Sequence, residues 1–168
     1  QTGHNAADFP INLADIERIE VLEGAASRVL GTQAFSGAIN IVTRQVGPTF
    51  YARAAGGAYG TAQGEARGLF RHQFSNGNLF TSSLSAGYQR SDGAVRNGDF
   101  KGGKAFWQGS LDAAQYKVDA QAGYTNTDFG ANTFYSIAST DQWESTTRYL
   151  ASVKAETKGK IHIAPQIS

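Results

Sequence analysis

Three histidines, His4, His72 and His162, are where metal ligation or general acid–base work would start. No second histidine or cysteine stands near any of them in a metal spacing, so solvated side chains account for them better than a metal centre. Cysteine is absent altogether, which removes disulfides, thiolate nucleophiles and zinc–thiolate sites. A serine nucleophile would need a strained turn, and no G-x-S-x-G elbow occurs. The run Gly56-Gly57-Ala58-Tyr59-Gly60 lacks the Lys-Ser/Thr pair and the following helix of a phosphate loop, so strand and turn glycines explain it. Glu17, Arg18, Glu20 and Glu23 form a charged strip that suits a salt-bridged surface. Asp92, Asp99, Asp112, Asp119, Asp128 and Asp141 are scattered and outline no calcium loop. These residues speak against an enzyme and against a bound cofactor.

The stretch from Phe129 to Trp143 (FGANTFYSIASTDQW) mixes aromatic and polar side chains. It reads either as a packed connection or as a vestibule in which Phe134, Tyr135 or Trp143 helps to capture a small molecule on a rigid scaffold.

The composition narrows what must position such groups. Hydrophobic residues are 40% and charged residues 17%, below the usual roughly 45–50% and 25%. Gly (20) and aromatics (10 Phe, 7 Tyr, 2 Trp) fill the gap, which suits strands apolar on one side only. A net charge of +1 gives no electrostatic footprint for nucleic acid. No apolar run is long enough for a transmembrane helix. With neither a signal peptide nor any Met, the chain is expected to be a piece of a larger protein.

Along the chain, Ile11 to Ile16 predicts one helical turn, with Asn12 or Asp15 as cap. Ile19 to Leu22 predicts a strand, Ala25 to Leu30 a helical piece stopped by Gly31, and Gly37 to Thr43 a second strand; Gly47-Pro48 then punctuates the chain. Beyond it the period is 2. Phe80, Leu84, Ala86 and Tyr88 oppose Thr81, Ser83, Ser85 and Gln89. The same alternation runs through Lys104 to Ala113, Tyr116 to Asn126 and Thr147 to Thr157. Gln63 to Phe74 follows less clearly, and Phe50 to Tyr59 is ambiguous because Tyr51 and Tyr59 share a side with Arg53. A further strand is expected from Ile161.

Such dyads are what a membrane barrel strand needs, one face in lipid and the other in a polar lumen. Phe80 and Tyr88 stand eight residues apart on one side, as do Tyr116 and Tyr124. That is roughly 26 Å along a strand, or about 20 Å of height at a 40° tilt, near the apolar band of about 25 Å between aromatic girdles. Connections alternate short and long, with long ones expected at Ser91 to Gly103 and Thr127 to Thr146; Gly60 to Ala62 is the exception. An odd, open set of strands would leave backbone groups unpaired in lipid, so the barrel is expected to be incomplete.

The run from Ile16 to Arg44, IERIEVLEGAASRVLGTQAFSGAINIVTR, resembles the end of the plug domain of TonB-dependent outer-membrane receptors. Ile16 to Leu22, Gly24, Ala26-Ser27, Gly31 and Gly37 to Thr43 match that family's pattern; Glu23, Ala25 and Leu30 depart from its usual Arg, Pro and Tyr. The resemblance implies a mainly β fold: residues 1–47 as the end of a small α/β plug domain, and 48–168 as the first six or seven antiparallel strands of an incomplete transmembrane β-barrel. It further implies uptake of a scarce nutrient, such as cobalamin or a siderophore-like ligand, across the bacterial outer membrane. The partners would be outer-membrane lipid and the inner-membrane protein TonB, whose contact box would lie upstream. In that family the apical plug loop before this motif touches ligand, which by position makes Gln1, His4 and Asn5 ligand candidates. A passive porin-like barrel and a soluble all-β binding or adhesion module are the alternatives.

Overall fold

In the computed structural model, residues 9–23, 37–133, 136–159 and 165–167 are described; the helical piece expected over 25–30 lies outside them. A 3-10 turn, Leu13–Asp15, leads into β1 (Ile16–Glu23), which pairs antiparallel with β2 (Gly37–Thr43). The rest is an antiparallel meander in sequence order: β3 (Phe50–Gly56), β4 (Ala62–Gln73), β5 (Leu79–Ser91), β6 (Phe100–Asp112), β7 (Tyr116–Gly130), β8 (Trp143–Thr157) and the two-residue β9 (Gln166–Ile167). Among the described residues this sheet is open, with β3 at one edge and β9 at the other, and no closed barrel forms.

The strands are longer than alternation alone indicates. Phe100 to Gly103, expected in a connection, pairs with Tyr88 to Ser91 on one side and Asn126 to Phe129 on the other. β7 runs on to Gly130, and β8 begins at Trp143. The long connections therefore shrink to 92–99 and 131–142, both at one end of the sheet, which we call the upper end. There Asn97 donates from Nδ2 to the carbonyls of Thr140 (3.0 Å) and Gln142 (2.7 Å), and Asn132 donates to the Arg96 carbonyl (2.8 Å). The two connections thus form one packed unit.

One face of the meander is bare and apolar. On it Phe70, Leu84, Tyr88 and Tyr149 are 59, 60, 53 and 80% exposed. The register sets Leu84 beside Trp107 and Tyr124 beside Tyr149, whose rings lie 5.3 Å apart. The other face is polar and covered. Arg67, Ser83, Ser85, Gln108, Ser110 and Thr125 are all buried there, with Leu69 and Phe106 among them. β3 pairs Tyr51 with Arg67 and Arg53 with Glu65, which puts both side chains on the same side of the sheet as Arg67, Tyr51 half-buried and Arg53 exposed.

The N-terminal unit does the covering, and two glycines let it approach. A Cβ at Gly87 would lie 2.4 Å from Asn12 Oδ1, and one at Gly123 would lie 2.9 Å from Pro10 Cγ. Pro10 and Asn12 are both buried at these contacts. Gly47, at φ +136°, turns the chain between the two sheets.

Candidate functional site

The contact between the 3-10 turn and the wall is a cluster of buried polar groups. Asn12 takes the N-cap position with its backbone, accepting from the Asp15 N–H at 3.0 Å, which frees its side chain. Asn12 Nδ2 donates to Ser85 Oγ at 2.8 Å, and Ser85 Oγ in turn donates to Asp15 Oδ2. The Asn12 N–H reaches the same carboxylate oxygen at 3.3 Å. Arg67 Nε stands 3.3 Å from Asp15 Oδ1, an ion-pair contact without hydrogen-bond alignment. Asp15 is fully buried and Arg67 nearly so. Burial pushes the Asp15 carboxyl above the ordinary carboxylate range, opposed by the Ser85 and Asn12 hydrogen bonds and by the Arg67 charge.

A second set of bonds holds the exit of β2. The Arg44 carbonyl accepts from Arg67 Nη2 at 2.8 Å and from Gln108 Nε2, while the Arg44 N–H donates to the Asp15 carbonyl at 2.6 Å. Arg67 therefore bridges the entry of β1 and the exit of β2. Bonding of this kind offsets the cost of burying polar groups, so the cluster fixes where the N-terminal unit sits on the sheet.

Two cavities flank the clamp. The upper one, about 300 Å³, has an apolar side from Phe9, Ile11, Leu13, Ile16 and Ile41, and a polar side from Arg53, Gln63, Glu65, Gln89 and Lys104. The lower one, about 200 Å³, is lined by polar side chains including Thr43, Gln45, Ser83, Gln108, Asp119, Gln121, Ser152 and Lys154. Among the described residues no nucleophile stands beside a base: Ser85 faces a carboxylate and is 1% exposed. Among the described residues no cluster of three or more His, Cys, Asp or Glu could hold a metal ion, and no helix is long and apolar enough to cross a membrane.

The candidates named from sequence do not assemble into a site. Gln1, His4, Asn5, Phe134 and Tyr135 lie outside the described residues, as does His162. Trp143 opens β8 opposite Gly130, on the bare face with Tyr149 and Val153. His72 also stands on the bare face, 4.7 Å from the Phe74 ring and stacked on Phe70 at 6.4 Å. Asn12, Asp15, Arg44, Arg67, Ser85 and Gln108 carry the clamp, and none was a candidate. In the sequence Asn12 and Asp15 are legible only as cap residues of the turn, and Arg67, Ser85 and Gln108 only as members of the polar side of their dyads.

Comparison with protein-family models, with curated proteins and with solved structures returned no match.

Proposed function

We propose that the chain is a section of a TonB-dependent outer-membrane receptor, the end of its plug with the first strands of its barrel. In this reading the receptor binds a scarce nutrient, cobalamin-like or siderophore-like, and takes it up by transport, not catalysis. The observation that carries the reading is the inverted polarity of the sheet. A one-sided sheet in water buries its apolar face and solvates its polar one. Here the buried face holds Arg67, Ser83, Ser85, Gln108 and Thr125, while Phe70, Leu84, Tyr88 and Tyr149 lie bare. Lipid is the solvent that favours that arrangement.

The plug motif in β1 and β2 supports the same reading, because those strands belong to the unit that fills the polar side. A passive porin-like barrel gives no reason for a clamp in its lumen. A soluble binding module would have to leave Phe70, Leu84, Tyr88 and Tyr149 bare to water on one face, and large exposed apolar patches mark interaction surfaces. The upper cavity, apolar on one side and polar on the other, suits an amphipathic ligand, and TonB would supply the energy for its release inward.

The test is the native product in isolated outer membranes, probed with an antibody raised against this chain. A heat-modifiable band well above 17.9 kDa, extracted only by detergent, is the expected result. A soluble band near 17.9 kDa would discard the receptor in favour of the small binding module.

A further inference from the structure

The lower cavity has a regular floor. The register sets Thr81, Ser110, Asp119 and Lys154 side by side across β5, β6, β7 and β8. The next row up is Ser83, Gln108, Gln121 and Ser152. All of these line the cavity, together with Thr43 and Gln45 at the exit of β2. Strands about 4.8 Å apart and rows two residues apart make the floor roughly 14 Å by 7 Å.

Two polar atoms of this floor have nothing to bond. Ser83 is 3% exposed, and its hydroxyl has no hydrogen-bond partner among the described residues; Asp119 Oδ1 is buried and likewise unpartnered. Leaving such atoms dry is costly, and a polar ligand that reaches them offsets the cost. The two amides beside them are already oriented. Gln121 Nε2 donates to Ser152 Oγ at 2.9 Å, and Gln108 Nε2 donates to the Arg44 carbonyl. Each amide keeps a carbonyl oxygen that these bonds do not use.

Charge and lining decide the class of ligand. Asp119 Oδ2 lies 3.2 Å from Lys117 Nζ, and Lys154 is paired with Glu156. The carboxylate and the ammonium of the floor are each balanced, so neither an anion nor a metal cation meets an uncompensated charge. No aromatic or large aliphatic side chain lines the cavity, so an apolar body finds no surface there. Hydroxyls that donate and accept, beside amide and carboxylate oxygens that accept, match a ligand made of hydroxyl groups. The volume of about 200 Å³ equals roughly seven waters at about 30 Å³ each, enough for a small cyclic polyol. One such ligand replaces several waters and reproduces their hydrogen bonds.

We propose that the lower cavity is a binding site for a neutral, polyhydroxylated solute of cyclic-polyol size, separate from the upper cavity. Ser83 Oγ and Asp119 Oδ1 bond its hydroxyls, with Gln121 and Gln108 beside them. The site belongs to the covered face and the exit of β2. It therefore stands whether lipid or water meets the bare face.

Saturation-transfer NMR on the purified full-length protein tests this, with myo-inositol as the probe. Inositol should receive saturation from the unaltered protein. Ser83→Val, which removes the hydroxyl at nearly constant size, should weaken its binding about fivefold, the loss of one hydrogen bond. Asp119→Leu, made separately, should do the same. Gln89→Leu, in the upper cavity, should leave binding unchanged. Unchanged circular dichroism establishes that each variant is folded. No saturation of inositol by the unaltered protein overturns the site, since water alone then fills the cavity. Equal binding in Ser83→Val and Asp119→Leu overturns it too, and a loss in Gln89→Leu alone moves the ligand to the upper cavity. None of these outcomes touches the receptor reading, which the outer-membrane band tests separately.

Discussion

The two faces of the meander are made by the same strands and differ by one residue in register. On β5 the odd positions Ser83 and Ser85 are sealed under the N-terminal unit, while the even positions Leu84 and Tyr88 are bare. On β7 the same shift separates buried Thr125 from exposed Tyr124. A period of 2 makes such a division inevitable once a strand is laid flat. What the comparison teaches is that alternation says which residues share a face and does not say which face is covered. The covered face is the one the N-terminal unit reaches, and Asn12, Asp15 and Arg44 give Ser85, Arg67 and Gln108 their partners.

The sharpest way to break that comparison is Arg67→Met. It would leave the Asp15 carboxylate buried without its cation, a loss of about 3–5 kcal/mol. Arg71→Met, four positions along β4 and exposed, should stay within about 0.5 kcal/mol. Urea unfolding of the full-length protein in lipid vesicles checks both, and equal losses would mean that the covered face is not special. Next comes the bare face: if it meets lipid as proposed, Ala120→Arg should cost about 2–4 kcal/mol. Gln121→Arg, one residue on and lining the lower cavity, should be tolerated. If the two variants assemble into heat-modifiable protein equally well, lipid does not meet the bare face. Gly87→Ala should cost about 1–3 kcal/mol, since the added methyl would overlap Asn12, and Asn12→Ala should recover part of that loss. A smaller effect, about 0.5–1.5 kcal/mol, is expected for Tyr149→Leu, which keeps an apolar side chain but removes the ring pair with Tyr124.

Much of the sheet is legible in the sequence because its signal is local. β5, β7, β8 and the part of β6 from Lys104 onward each carry enough dyads to declare themselves, β4 does so less clearly, and β2 coincides with Gly37 to Thr43. Phe100 to Gly103 does not, because Gly102-Gly103 reads as a turn until flanking strands on both sides supply a ladder. Leu69 and Phe106 show the same limit from the other side: apolar residues on the polar face, buried by what covers them. The clamp was not legible, since Ser85 and Asp15 are 70 positions apart and neither is unusual where it stands. Only the register of the wall and the 3-10 turn bring them together.

The finest comparison lies within the clamp, between its two buried charges. Asp15 brings the carboxyl and Arg67 the guanidinium. Burial is the largest influence on that carboxyl and raises it above its unfolded value of 3.8, so the folded state holds the proton more tightly than the unfolded one. The stability this contributes is fully present below 3.8 and is lost as pH rises through the folded value, after which it is flat. The seam should therefore tighten slightly on acidification, against the usual trend for an ion-paired carboxylate, whose depressed pKa makes acid destabilising. The effect is the smallest of the set because the Ser85 and Asn12 hydrogen bonds and the Arg67 charge offset part of the burial. Asp15→Asn removes the titrating proton while keeping the shape, so its urea midpoint should lack this pH-dependent component. If the wild-type midpoint instead falls on acidification and Asp15→Asn abolishes that fall, the Arg67 charge outweighs burial. The clamp would then hold as a salt bridge and weaken in acid.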